Sequence, residues 1–345
     1  MKRALVVSGG GSKGAFAVGV IKQLHEIFPT LSFDIFVGTS TGSLIVPLAA
    51  IDELALLEEI YTTQSEGTIV RKLRIGDRLN TDSIFDANPL WNLVNKHFTD
   101  DRYNALVASG KKLYINTTCL QTEDLTVFTN DDAATSNDRY AVRQIVNSDH
   151  FRRSIMASAC QPVFMPTIQV NKNLPSNSEK DFQYVDGGVR EYAGVEMAID
   201  AGATEIFTIL LSSSVNDVAN KQYSDLFSLL ERTMDIFITD VSKNDLIIPN
   251  QFNDALEYIA AVKRKMTNGG ISAADINSYF NTGDNPFEDK VPLKLFTIRP
   301  ESPLGGGPGG LNFDMAEMKQ MLAKGVGAAT AFRDGLTPGD ETWLV

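Results

Sequence analysis

The sequence predicts an α/β protein with a parallel central sheet. Three observations carry that prediction: an apolar run at 3–8 (RALVVS) that ends in glycines, an amphipathic stretch directly after it, and a second pass through the same order at 33–50. Strand, glycine-rich turn, helix, strand, turn, helix is the opening of a fold whose helices cover a buried parallel sheet.

Taken in order, residues 3–8 are apolar without alternation, as a strand buried on both faces requires. Ala17, Val20, Ile21, Leu24 and Phe28 then fall on one helical face, and Pro29 helps to end that helix. A second strand, Phe33 to Val37, leads into GTSTGS, and the apolar stretch 44–50 reads as a buried helix. Residues 64–104 are polar and weakly periodic, with Pro89-Leu90-Trp91 inside, and read as an insertion or lid. Strands return at 112–119 and 124–129 as an antiparallel pair, and a helix is expected near 138–157, before the stretch QPVFMP. A strand at 182–185 runs into Asp186-Gly187-Gly188, and 205–211 (EIFTILL) is another buried strand. Leu226, Leu230, Met234, Phe237 and Val241 mark a helix, Lys294 to Ile298 a late strand, and 305–310 a flexible glycine loop. Met315, Met318, Leu322, Ala329 and Phe332 give a last amphipathic helix. No repeat and no linker divides the chain, so a single domain over 1–345 is expected, its part from 215 onward mainly helical.

Composition limits the function. The chain has 345 residues, 43% hydrophobic and 21% charged, which suits a globular protein with a sizeable core. A net charge of −12 argues against sequence-independent binding to nucleic acid, which needs clustered Lys and Arg. It leaves room for a membrane surface met by a local patch. Cys119 and Cys160 are the only cysteines and lie far apart, so neither a disulfide framework nor a cysteine zinc site is expected, and a reducing compartment fits. The start Lys2-Arg3-ALVV resembles a signal peptide, but glycines cut its apolar run at four residues, and no run approaches a membrane span. The expected location is cytoplasmic.

Two glycine-rich turns carry the chemistry. In SGGGSKG, Gly9, Gly11 and Gly14 satisfy G-x-G-x-x-G between a strand and a helix, which suits a dinucleotide phosphate. The same backbone suits an oxyanion formed in acyl transfer. A dinucleotide fold usually places an acid at the end of its second strand; here that strand ends in Val37-Gly38-Thr39, with Asp34 near its start. Gly38-Thr39-Ser40-Thr41-Gly42 matches G-x-S-x-G at a strand-to-helix turn, where a strained Ser projects its hydroxyl near a helix N-terminus. Ser43 reads as a helix-start residue. The histidines, His25, His97 and His150, all precede Asp186, so a Ser–acid–His order is not supported. The alternative base is Asp186 in YVDGG, at the C-terminal end of a strand, the edge where open α/β sheets bind ligands.

Four stretches in order, SGGGSKGAF (8–16), GTSTG (38–42), ASACQPVFMP (157–166) and DGGVREY (186–192), resemble the patatin-like phospholipases. The motifs span 8 to about 192, and the tail resembles bacterial members more weakly. The resemblance implies a three-layer α/β/α fold with a mainly parallel sheet and a serine carboxylic ester hydrolase acting on lipid acyl esters, without metal or cofactor. It implies Ser40 as nucleophile, Asp186 as its activating base, and backbone N–H groups of Gly9, Gly10 and Gly11 as the oxyanion hole. Lys13 fills the family's basic position, which orients an anionic headgroup or serves structure alone, and Pro162 the proline that shapes the pocket wall. The implied partner is a lipid, met by peripheral contact with a membrane or micelle. Phe85, Trp91, Phe164 and Met165 are candidates for the acyl groove. Gly194 departs from the family, which often has a proline there. The alternatives are a dinucleotide-binding enzyme and a catalytically silent lipid-binding protein.

Overall fold

In the computed structural model, which describes residues 2–73, 82–175, 177–215, 222–283, 285–288 and 290–337, ten strands form among the described residues. They are β1 (Arg3–Val7), β2 (Ile35–Thr39), β3 (Arg71–Lys72), β4 (Phe85–Asp86), β5 (Lys112–Cys119), β6 (Leu125–Thr129), β7 (Tyr140–Gln144), β8 (Tyr184–Asp186), β9 (Glu205–Ile209) and β10 (Lys294–Ile298). β3 and β4 make a small hairpin; the others share one sheet in the order β10-β9-β1-β2-β5-β6-β7, with β8 also paired to β5. β10, β9, β1, β2 and β5 run parallel, whereas β6 and β8 are antiparallel to β5.

The strands lack alternation because both faces of the sheet are covered. Leu5 and Val7 of β1 join Phe36 and Phe207 in one core with Phe16, Val20 and Leu24 of α1 (Gly14–Ile27). Ala4 and Val6 join Ile35, Val37 and Ile206 in a second core with Met197 and Ala198 of the helix Val195–Asp200. The layers are therefore helix, sheet, helix, as the resemblance implied. The last helix, Met315–Asp334, lies along α1 in the first layer, and its Phe332 meets the rings of Phe207 and Phe296 edge-on.

Two expectations need correction, and a third gains detail. The stretch 138–157 is not one helix: Tyr140–Gln144 is strand β7, parallel to β6, and the helix begins at Ser148. Asn147 sets that start, its side chain accepting the His150 N–H at 2.8 Å, an N-cap that the periodicity alone does not reveal. The segment 64–104, expected as an insertion or lid, packs on the core and lines the cavity where it is described. Helices Asn88–His97 and Asp100–Ala108 bury Leu90, Val94, Phe98 and Leu106 in the main core; residues 74–81 of the segment lie outside the described residues. The glycine run 305–310 is docked against the first loop: a Cβ on Gly11 would sit 2.3 Å from the Gly310 oxygen.

Strand register brings the Ser40 turn and the Asp186 turn together. β2 pairs with β5 as far as Thr39 opposite Asn116, and β8 takes up the same side of β5 at the next residue, Asp186 opposite Thr117. β6 holds the other side of β5. Two strands thus approach along one lane from opposite directions. Ser40 follows the end of one, and Asp186 ends the other.

Candidate active site

Ser40 begins α2 (Thr41–Ala50) with φ 55° and ψ −126°, a conformation that costs an L-residue on the order of 1–3 kcal/mol and persists only where surroundings impose it. Its N–H donates to Ser158 Oγ at 2.9 Å, and Ser158 in turn donates to the Asn116 carbonyl at 2.6 Å. Its carbonyl accepts from the Ser43 N–H (2.9 Å) and the Ser43 hydroxyl (2.6 Å), so Ser43 is a helix-start residue as expected. Gly42 is obligatory here: a Cβ would lie 2.1 Å from the Val7 carbonyl, so any side chain would drive α2 off β1.

The Ser40 side chain faces the Asp186 carboxylate closely enough to favour its charged form. Asp186 is buried, and its Oδ1 also accepts the Gly188 N–H at 2.7 Å. Burial pushes its pKa up to about 6, opposed by Ser40 and by the Gly188 N–H. Its backbone is fixed as well, its N–H donating to the Cys160 carbonyl (2.8 Å) and its carbonyl accepting from the Thr118 hydroxyl (3.1 Å). Such a carboxyl is ionised at neutral pH yet holds a proton readily, the property a general base needs.

Facing the pair is the loop of Gly9, Gly10 and Gly11, which approaches so closely that a Cβ on Gly9 would be 3.1 Å from the Ser40 Cβ. The Gly9 N–H donates to the Tyr192 carbonyl at 3.2 Å and is committed to holding the loop. Gly10 (φ 152°) caps the short 3-10 helix Gly11–Lys13 and Gly11 (φ 56°) opens it, so their N–H groups have no intrahelical acceptor. Only these two, of the three glycines expected to donate, are available in this conformation. Lys13 is partly buried in the same wall. Burial lowers its pKa, and the charge of Asp235, on the long helix Leu226–Asn268, opposes that shift.

A cavity of about 170 Å³ opens on these groups. Gly9 to Gly11, Lys13, Ser40, Asp186, Tyr192 and Asp235 mark its polar part, and Leu57, Ile60, Ile69, Leu90, Leu93 and Phe98 are among its apolar walls. Of the groove candidates, Met165 lines it; Phe85 and Phe164 are buried in the core instead, and Trp91 packs against that core under Arg153. Pro162 is half-buried and does not line the cavity, whereas the preceding Gln161 does. Residues 226–241 and 309–318 also contribute lining, including Asp235, Thr239, Gly309 and Phe313, none of which any local motif announced. Ser158 lay within the quoted ASACQPVFMP stretch, but its role depends on a contact with Ser40, 118 residues away.

The histidines stand apart from the dyad geometry. His25 is exposed, and His150 is buried with Nε2 3.0 Å from Asn171 Oδ1 and Nδ1 accepting the Val146 N–H. His97 is not in polar surroundings: it is buried in the apolar wall, which lowers its pKa. Gly194, the departure from the resembled pattern, takes φ 82°, which proline's ring forbids, and a Cβ there would lie 2.4 Å from Asn116 Nδ2. Among the described residues no group of His, Cys, Asp or Glu is arranged to hold a metal ion, and no helix is long and apolar enough to cross a membrane.

Among solved structures the chain is similar to VipD from Legionella pneumophila, at 10% identity and a TM-score of 0.41, over 96% of this chain and 66% of that one. It therefore spans just under two thirds of VipD's length. No curated protein matches the sequence. The family model described as patatin-like phospholipase matches residues 5–199, more than half of the 345 and inclusive of both glycine turns, Ser40 and Asp186. The chain belongs to the patatin-like phospholipase family.

Proposed function

We propose that this lipid acyl hydrolase cleaves carboxylic esters through an acyl-enzyme on Ser40, with Asp186 as the single general base. The observation that carries the reading is Ser40 set against a buried carboxyl whose proton affinity is raised, both lining one largely apolar cavity. Ser40 Oγ attacks the ester carbonyl as Asp186 takes its proton, and the N–H groups of Gly10 and Gly11 receive the oxyanion. Asp186 returns the proton to the departing alcohol or lysolipid. Water, deprotonated by Asp186, then releases the fatty acid. Lys13 lies where an anionic headgroup would meet it, and the apolar walls take the acyl chain.

The substrate reaches the site from a lipid surface by peripheral contact. Leu226, Leu229, Ile236, Phe237, Ile248 and Tyr258 are exposed on one face of the helix Leu226–Asn268, whose opposite face gives Asp235 and Thr239 to the cavity. Residues 226–258 carry six acids against two bases, so the surface it suits is zwitterionic or uncharged. The dinucleotide reading loses support, because the Gly9 N–H is already committed and the cavity walls are apolar.

The test is hydrolysis of a panel of phospholipids, lysophospholipids, neutral glycerides and acyl thioesters by wild type, Ser40→Ala and Asp186→Asn. Both variants are expected to fold and to lose hydrolysis, and a fluorophosphonate is expected to label wild type at Ser40. Near wild-type turnover by either variant refutes the assignment. Lipid binding without hydrolysis or labelling favours the silent lipid-binding alternative.

A further inference from the structure

Behind the cavity lies a pair of acids that the proposed chemistry does not use. The segment Glu191–Gly194 directly follows the Asp186 turn, and three consecutive N–H groups in it end on carboxyl oxygens. Tyr192 and Ala193 donate to Asp245 Oδ2 at 2.5 and 3.0 Å, and Gly194 donates to Glu191 Oε1 at 2.6 Å. The two carboxyl groups thus take N–H groups from adjacent residues, and burial together with the Asp245 charge pushes the Glu191 pKa up. The first two residues of this segment hold the two turns that carry the proposed reacting groups. The Glu191 N–H donates to the Gly187 carbonyl (2.8 Å), beside Asp186, and the Tyr192 carbonyl accepts the Gly9 N–H, at the root of the glycine loop. Asp245 itself belongs to the long helix that supplies Asp235 and Thr239 to the cavity wall.

We infer that Asp245, together with Glu191, is a positioning residue that clamps the 191–194 segment and thereby fixes the spacing between the Gly10–Gly11 donors and the Ser40–Asp186 pair. The inference rests on the hydrolase reading above. It follows from where the hydrogen bonds end. Asp245 accepts two N–H groups, whereas an apolar residue there leaves those two adjacent N–H groups without acceptors. Two buried carboxyl groups whose charges interact cannot both ionise cheaply, so one proton is retained on the pair, held by burial and by the neighbouring charge. Around the pair, Glu196 of the next helix adds negative charge and is itself paired with Arg139. On the cavity side, burial raises the Tyr192 pKa, opposed by the neighbouring Ser8 and Ser212 and by the charge of Arg299. Raising the pH removes that proton, sets two carboxylates against each other and loosens the helix from the segment.

The experiment compares wild type, Asp245→Ala, Asp245→Asn and Glu191→Gln on a soluble short-chain ester, from mildly acidic to alkaline pH, with the rate of fluorophosphonate labelling at Ser40 alongside. A soluble ester keeps membrane contact out of the measurement. Asp245→Ala is expected to lower kcat by about tenfold or more with little change in KM, and Asp245→Asn, which keeps an oxygen for the N–H donors, to recover most of that loss. Glu191→Gln cannot ionise, so it should match wild type at neutral pH and retain activity at alkaline pH where wild type declines. Wild-type kcat in Asp245→Ala overturns the inference, as do superimposable alkaline limbs for wild type and Glu191→Gln. The second comparison decides alone if Asp245→Ala fails to fold. A wild type that neither hydrolyses the ester nor labels at Ser40 refutes the hydrolase reading, and this inference with it; an active wild type with indifferent variants refutes only the clamp.

Discussion

At φ 55°, Ser40 is held against its own backbone preference, and hydrogen bonds on both sides of it do the holding. Ser158 is the pivotal one: its single hydroxyl accepts from Ser40 and donates to Asn116, tying the turn after β2 to the strand that also carries β8. Ser158→Ala therefore strands a buried N–H and a buried carbonyl together. Destabilisation of about 1–3 kcal/mol is expected in denaturant unfolding. Slower fluorophosphonate labelling of Ser40 is expected as well, under conditions where the variant stays fully folded. Unchanged labelling would mean that Ser158 only stabilises the fold and does not set the Ser40 conformation. The hydroxyl of Ser158 could not be given this part from the sequence, where it stands only as one residue of the ASACQPVFMP stretch.

At the scale of elements, what was legible was local. Apolar runs marked β1, β5, β9 and β10, glycines marked the turns, and the motifs carried Ser40 and Asp186 because a chain must bend sharply to present them. The shared lane on β5, which makes those two residues meet, depends on the register of three strands and leaves no trace in any one of them. The helix Leu226–Asn268 illustrates the same limit. Its first turns read as amphipathic, yet Asp235, Thr239 and Asp245 look like solvated acids and a polar neighbour until the site is folded beneath them. Its outer face makes a separate prediction. Leu229→Glu combined with Phe237→Glu, both exposed at 53% and 59%, should cost little stability and leave hydrolysis of a soluble ester intact. Activity on zwitterionic vesicles should fall by about tenfold or more, since each buried apolar side chain contributes roughly 1.5–3 kcal/mol to association. Equal activity on vesicles for variant and wild type would show that the lipid surface is met elsewhere.

For the whole molecule, Asp186 couples function to stability through one proton. Its pKa rises from an ordinary 3.8 to about 6 because folding removes water from it. Between those two values the folded chain holds a proton that the unfolded chain has released. Stability is therefore lost as pH rises from about 4 to about 6, and the deficit persists above that window. A shift of this size corresponds to about 3 kcal/mol at neutral pH. Activity runs the opposite way, since the base must be ionised: kcat/KM on a soluble ester should rise with pH through a midpoint near 6. Asp186→Asn removes the titration while keeping an oxygen for the Gly188 N–H. It should raise the denaturant midpoint at neutral pH, converge with wild type near pH ~4 and abolish hydrolysis throughout. Parallel stability profiles for wild type and Asp186→Asn across that range would show that Asp186 is not the carboxyl whose buried charge the fold tolerates, and an acid limb near the ordinary carboxylate range would remove it as the base.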